Sequence, residues 1–335
     1  MRERRTQLGF GVTVLLGTGD GTFTRSMSLG LPERIIHLGD RVLIHGYEET
    51  YKSFVVLSMA HAIATGTPWL GEFVTGQPRN VGIIQTEMRN PGLGERLKKI
   101  YGDSAPPDRI KFFSRKMLDE LRRTSPMENQ FSLIRKWVRK EKLEVVLVDV
   151  ISDLFCCGKN PDKERDVSFV FDQLELIPEV KVWVMIRHDS KPKENPDGNS
   201  NNRIRGSSEW KENPDTILHL TKDGRSDTVK VSVGKLRYGR KPNPFSIRYD
   251  QKAATIVPGN PVLWLLLKGP LSREQLIEEC RVRYAAGESR VDKWLGEVKS
   301  ELSESHDGHK KIFTRTAPPS ADLLWKFQKS DEQTG

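Results

Sequence analysis

The chain has 335 residues, with 54 Lys and Arg against 45 Asp and Glu, and a formal charge of +9 at pH 7. No apolar run approaches the ~20 residues of a spanning helix, and strong apolar strands are present, so composition excludes a membrane-spanning protein and a wholly disordered one. The length allows about two domains. Three cysteines, with Cys156 and Cys157 adjacent and Cys280 far away, are too few for a disulfide framework and lack zinc spacing, so they read as reduced structural thiols. The basic start, Met1 to Arg5, is followed by no cleavable apolar segment, and the chain reads as cytoplasmic. The excess of positive charge suits a polyanionic partner.

Residues 1–33 are rich in Gly, Thr and Arg and poorly patterned, and form an arm before the first domain. From Arg34 the pattern becomes regular. Val42–Ile44 is a buried strand, 52–65 a helix, Val81–Ile84 a strand, Leu93–Tyr101 a short helix and Arg109–Phe113 a strand. A helix over 127–141, the apolar strand Leu143–Val150, a helix over 164–176 and the strand Val180–Ile186 follow. Two more strands lie at 216–220 and 228–235. Strands alternating with helices require crossover connections, and so an α/β domain with a mostly parallel twisted sheet flanked by helices over 34–252.

The segment 187–206 breaks the pattern, being polar, rich in turn formers and without apolar periodicity. A loop this long inside a compact domain is functional or disordered. Residues 253–260, ending in Pro258-Gly259-Asn260, read as a linker. Beyond it lie an apolar helix at Val262–Leu267 and a helix capped by Ser272 with Gln275 three residues on. A further helix presents Val291, Trp294, Leu295, Val298 and Leu302 on one face, and a hairpin turn follows at Asp307-Gly308. That order describes a small winged-helix-like domain over 261–318, with 319–335 as a disordered tail.

The most informative stretch follows the first regular strand: Gly46-Tyr-Glu-Glu-Thr-Tyr51-Lys52-Ser53. It has the spacing of a phosphate-binding loop, G-x-x-x-x-G-K-[ST], with Tyr51 in place of the second Gly. In such a loop backbone N–H groups wrap the phosphates, the Lys reaches their outer oxygens and the hydroxyl ligates Mg2+. The eight residues alone also fit an ordinary strand–helix turn, and Glu48 and Glu49 bring negative charge toward the anion. Glu87 follows the strand Val81–Ile84, and Asp149 ends the strand Leu143–Val150. In a parallel sheet both reach the C-terminal strand edge, where α/β folds bind ligands. An Asp there can hold Mg2+, and a Glu can orient or deprotonate water. Read alone, each could equally be a solvated helix start or cap. His188 ends the next strand. Lys235 and Arg237 lie on one side of a late strand, where they could meet phosphate or stay solvated.

Together these residues resemble the RepA-like hexameric replicative helicase ATPases, a branch of the RecA/DnaB superfamily of P-loop ATPases. The likeness spans about 34–250. Its most specific part is the run from Tyr51-Lys-Ser-Phe to Gly-Thr-Pro-Trp-Leu-Gly71. Gln85-Thr-Glu87-Met, Leu147-Val-Asp149, Arg187-His188-Asp-Ser-Lys191, Arg205-Gly-Ser-Ser208 with Asp215, and Lys235-Leu-Arg237 are similar to the family's successive motifs.

The resemblance implies a RecA-like core, ATP and Mg2+ as ligands, and a homo-oligomeric ring, hexameric in the family's manner, around single-stranded DNA. The nucleotide would be held by Gly46, Glu49, Thr50, Tyr51, Lys52, Ser53 and Phe54, and Mg2+ by Ser53 and Asp149. Glu87 would activate water, His188 would couple phosphate state to the loop 189–204, and Lys235 and Arg237 would act on a neighbour's γ-phosphate. Lys191, Lys193, Arg203 and Arg205 would contact the DNA backbone. Arg290 and Lys293 of the C-terminal module would contact duplex DNA. The departures in the loop, Glu48, Glu49 and Tyr51, leave open a DNA-binding initiation, loading or regulatory protein with weak or no ATP hydrolysis.

Overall fold

The computed structural model describes residues 28–29, 36–67, 69–70, 75–87, 90–102, 104–113, 116, 119, 127–155, 159–189, 204, 207–222, 228–238, 241, 244–250, 254–266, 269–284 and 286–316. The expected tail 319–335 and the basic loop residues Lys191, Lys193, Arg203 and Arg205 lie outside these residues. Of the arm 1–33 only β1 (Ser28–Leu29) is described, and it pairs antiparallel with β2 (Ile36–His37).

The core then runs β3 (Arg41–Gly46), α1 (Lys52–Thr65), β4 (Val81–Gln85), α2 (Asn90–Tyr101), β5 (Ile110–Phe113), α3 (Met127–Glu141) and β6 (Val145–Asp149). It continues through α4 (Glu164–Glu175), β7 (Val182–His188), α5 (Glu209–Glu212), β8 (Thr216–Lys222), β9 (Thr228–Leu236), β10 (Phe245–Asp250) and β11 (Thr255–Pro258). These strands form one nine-stranded sheet in the order β11-β10-β9-β8-β3-β7-β6-β4-β5. From β8 to β5 neighbours are parallel, while β9, β10 and β11 extend the sheet antiparallel. This is the mostly parallel, RecA-like α/β core that the alternation of elements predicts.

The central strands are continuous apolar runs because helices cover both faces. Val42, Ile44, Val81, Ile83, Leu147 and Val184 pack with α1, which is buried on nearly every side. Leu43, Ile84, Val146, Val148 and Met185 face the other way, against Phe131, Ile134 and Val138 of α3 and Val167, Val170 and Phe171 of α4. Gly82 is needed for that packing, since a Cβ there would lie 2.6 Å from both Trp137 and Leu143 side chains.

The strand order places the site. The consecutive strands β3 and β4 are separated in the sheet by β7 and β6, which opens a crevice at the C-terminal strand edge. In register there, Gly46 pairs with His188 and Gln85 with Asp149.

The stretch 253–260 corrects one reading. It is not a linker, because Thr255–Pro258 forms β11 and pairs with β10 from Ile247 to Asp250. Four residues are enough for an edge strand, and the Pro-Gly punctuation that suggested a linker marks only its end. Past it come α6 (Pro261–Leu265), β12 (Leu271–Ser272), α7 (Arg273–Tyr284), α8 (Glu288–Glu297), β13 (Leu302–Asp307) and β14 (Lys310–Arg315). The three strands form an antiparallel sheet with β14 in the middle. Val262, Leu266, Leu276, Cys280, Val291, Trp294 and Phe313 give this unit a core of its own. The Ser272 cap is present as a reciprocal pair: Ser272 N–H donates to Gln275 Oε1 at 2.8 Å, and Gln275 N–H donates to Ser272 Oγ at 3.2 Å. The unit is tied to the sheet by the Tyr284 hydroxyl, which donates to Asp250 Oδ2 at 2.9 Å. Among the described residues, no helix is long and apolar enough to cross a membrane.

Candidate nucleotide-binding site

Gly46 ends β3 against β8, where a Cβ would lie 2.5 Å from the Leu220 carbonyl oxygen, so only glycine allows the approach. The loop from Tyr47 then turns into α1. Tyr51 takes a left-handed backbone at φ 60°, ψ 21°, and Glu49 also has φ 60°. Thus the position that carries Gly in the common loop keeps the glycine conformation with a tyrosine in it. That geometry costs about 1–2 kcal/mol for a residue with a Cβ. The ring offsets part of it by stacking on Tyr249 at 5.5 Å, with the Lys222 ammonium 5.5 Å from the Tyr51 ring centroid.

Lys52 is buried and folds back over the loop. Its ammonium donates to the carbonyl oxygens of Gly46 at 2.9 Å and Tyr47, and lies 3.3 Å from Thr50 Oγ1. Burial lowers its pKa, opposed by the nearby carboxylates Asp189, Glu87, Asp149 and Glu48. Ser53 follows at the first turn of α1, beside Asp149. The Asp149 carboxylate is buried, accepts from Gln85 Nε2 at 3.0 Å through Oδ2, and leaves Oδ1 without a hydrogen-bond partner. Burial raises its pKa, and hydrogen bonds from Ser53 and Gln85 work the other way. A hydroxyl and a carboxylate with one unpartnered oxygen are hard donors of the kind Mg2+ takes, so these residues fit that ion.

Glu87 is half exposed, and its Oε1 lies 3.5 Å from His188 Nε2. The hydrogen bond with His188 holds its carboxyl below the usual range, although partial burial opposes this. Glu48, Glu49, Thr50, Tyr51, Lys52, Ser53, Phe54, Glu87, Asp149 and His188 all line one cavity of about 490 Å3. The structure therefore brings together the loop, both carboxylates and the histidine that the sequence singled out. It adds three residues that no motif marked: Arg96 and Lys222 in the cavity wall, and Tyr249, stacked on Tyr51 and 4.4 Å from Phe54.

Beneath the loop lies a buried trio. His45 Nδ1 is hydrogen-bonded to Asp189 Oδ1 at 2.6 Å, and His219 Nε2 is 3.3 Å from Asp189 Oδ2. The imidazoles stack 4.4 Å apart and 10° from parallel, so their in-plane lone pairs do not converge on one point. The 2.6 Å N···O separation is also shorter than two ligands of one ion adopt at ~2.1 Å from it. The arrangement is a lock and not a metal centre: Asp189 bridges β3, β7 and β8, and its N–H donates to the Gly46 carbonyl at 3.2 Å. Burial lowers the His45 pKa against that hydrogen bond. Arg187, one residue before His188, points to the other face and reaches Asp162 at 3.2 Å with its guanidinium 4.4 Å above the buried Trp210.

Lys235 and Arg237 are elsewhere. Leu236 pairs with Thr216, at the N-terminal end of β8, whereas Gly46 pairs with Leu220 at the other end. Four strand residues, ~13 Å, separate those levels. Lys235 Nζ donates to the carbonyls of Lys211 at 2.9 Å and Glu212 at 2.7 Å, and Arg237 Nη1 meets Asp215 Oδ1 at 2.8 Å. Neither cation faces the phosphate loop of its own chain. In the C-terminal unit Arg290 lies 5.9 Å from the Trp294 ring and Lys293 is exposed. Their helix also carries Glu288 and Asp292, both engaged by Arg273 at 2.6 and 2.7 Å.

A strand-ending glycine, a lysine bent over its loop, a hydroxyl beside a strand-end aspartate and a glutamate one strand further on define a P-loop nucleotide site on a RecA/DnaB-like core. The AAA_25 family, an AAA domain, matches residues 24–194, half of the chain, and the protein belongs to that family of P-loop ATPases. No curated protein matches it. Among solved structures, the ATPase domain of a replicative helicase is similar at 15% identity and TM-score 0.48, covering 66% of this chain and 84% of that one. The RadB recombinase is similar at 13% and 0.46, covering 66% and 91%. A KaiC-like protein from the hyperthermophilic archaeon Pyrococcus horikoshii is similar at 13% and 0.48, covering 66% and 90%.

Proposed function

We propose that the protein is an ATP-driven DNA translocase or helicase of the RepA-like kind, working in the cytoplasm as a ring of identical subunits, six by the family's pattern, on single-stranded DNA. The observation that carries this reading is the split of the expected site. Lys52, Ser53, Glu87, Asp149 and His188 share one cavity, while Lys235 and Arg237 sit at the opposite end of the sheet, where only another subunit's nucleotide is within their reach. Lys52 would turn from the loop carbonyls to the outer phosphates. Mg2+, held by Ser53 and Asp149, would neutralise charge on the phosphate oxygens. Glu87, kept ionised by His188, would take the proton of the attacking water. His188 directly precedes Asp189 and the loop 190–203, so a change at Glu87 reaches the base of the segment bearing Lys191, Lys193, Arg203 and Arg205. Those cations would follow the DNA backbone without reading sequence, giving salt-dependent binding.

The C-terminal unit, with its helix, strand, helix, helix and two-strand order, fits a winged helix, and Arg290 and Lys293 would face duplex DNA. The test of the whole reading is ATP hydrolysis with and without single-stranded DNA, for wild type, Lys52→Ala and Glu87→Gln. DNA-stimulated turnover in wild type alone supports it, and wild-type turnover no faster than either variant refutes the motor.

A second reading, a DNA-binding regulator with little turnover, is favoured by Glu48 and Glu49 in the cavity wall and by the strained Tyr51. It predicts DNA affinity that ignores nucleotide. Tightening by a non-hydrolysable ATP analogue would exclude it.

A further inference from the structure

The structure assigns Arg96 as a second, same-subunit cation for the polyphosphate; this rests on the nucleotide-binding reading above. The charge around the cavity calls for one. Glu48, Glu49, Glu87 and Asp149 line it, and Lys52 alone from the phosphate loop faces them. A nucleoside triphosphate would add more negative charge to a site already rich in carboxylates. Arg96, in the middle of α2, reaches into the same cavity. Its guanidinium lies 4.4 Å from the centroid of the Phe54 ring, which holds the group flat at the rim of α1. Nη1 is buried and has no hydrogen-bond partner, and no ion pair ties Arg96 to Glu87 or Asp149 among the described residues. A stacked guanidinium with a free buried edge, pointing into a cavity with an anion-binding loop, has the planar fork that pairs with two phosphate oxygens. The aromatic clamp and the phosphate contact are compatible, because stacking uses the face of the group and hydrogen bonding its edge.

The test compares wild type, Arg96→Ala, Arg96→Gln and Arg96→Lys by calorimetric titration with ATP, ADP and adenosine, with thermal melts as the check on folding. Loss of a charge-assisted phosphate contact weakens ATP and ADP binding by about 10- to 100-fold in the Ala and Gln variants. Lys should recover part of it, since it supplies charge without the fork, and adenosine binding should stay within about twofold. Arg96→Gln keeps most of the side-chain length over Phe54 and reads the same quantity if the Ala variant fails to fold. ATP binding unchanged in folded variants, or adenosine weakened as much as ATP, overturns the inference. Wild type that binds no nucleotide at all overturns the nucleotide reading itself, which is a different result.

Discussion

Tyr51 offers the sharpest test of the loop geometry, through the pair Tyr51→Gly and Tyr51→Ala. Both remove the ring, and with it the stack on Tyr249 and the contact with Lys222. They differ only in whether a Cβ remains at φ 60°. A left-handed residue with a Cβ is strained by about 1–2 kcal/mol. Glycine gives back about 0.5–1 kcal/mol of that through its freer unfolded chain. The Gly variant should therefore be the more stable of the two by about 0.5–1 kcal/mol, a two- to fivefold shift in the unfolding equilibrium. The Ala variant should fall below wild type by about 1–2 kcal/mol, the worth of one aromatic stack and one cation–ring contact. Urea denaturation measures this as a difference in midpoint at equal slope. An Ala variant as stable as the Gly variant would refute a left-handed backbone at this position, and with it the claim that this loop keeps the phosphate-binding shape.

Three other outcomes follow from individual contacts. Because the hydrogen bond with His188 lowers the Glu87 pKa, His188→Ala should move the acid limb of the hydrolysis rate upward, toward the ordinary carboxylate range. The pair's contribution to stability is present above that range and lost as pH falls through the lowered Glu87 value, so wild type and variant should converge in acid; a pH profile that does not move contradicts the contact. Gly82→Ala places a Cβ 2.6 Å from Trp137 and Leu143 and should destabilise by about 1–3 kcal/mol, read from the denaturation midpoint. Tyr284→Phe removes the hydroxyl that donates to buried Asp250 and should cost about 1–3 kcal/mol; a neutral result would mean that this bond does not hold the C-terminal unit on the sheet.

Much of this was legible in the sequence, for local reasons. The alternating apolar runs and the 3.6-residue periodicity place α1, α3 and β6 to within a residue or two of where they lie. The Ser272 and Gln275 capping pair needs only three residues of context, and it formed as read. The strand-end rule put Glu87 and Asp149 beside the loop because a parallel sheet leaves no other place for them. What stayed hidden depends on contacts distant in the chain. β11 is four residues long and gains its identity from pairing with β10, so its Pro-Gly end looked like a linker. Arg96 is one cation on an amphipathic helix, and nothing nearby in sequence marks it out from Lys98 or Lys99. The lock formed by His45, Asp189 and His219 joins three strands and residues 144 positions apart. The left-handed Tyr51 was hidden for the opposite reason, since its residue type argues against the conformation it holds.

The proposed motor depends on one subunit's loop working with another subunit's Lys235 and Arg237. That dependence is tested most directly by co-expressing Lys52→Ala and Arg237→Ala chains and measuring DNA-stimulated ATP hydrolysis of the mixed oligomer. Each variant alone should be nearly inactive. Random mixing in a closed ring makes about a quarter of the interfaces intact, pairing a sound loop with a sound arginine, so activity should return to about a quarter of wild type. Mixed oligomers no more active than either variant alone would contradict a site shared between subunits.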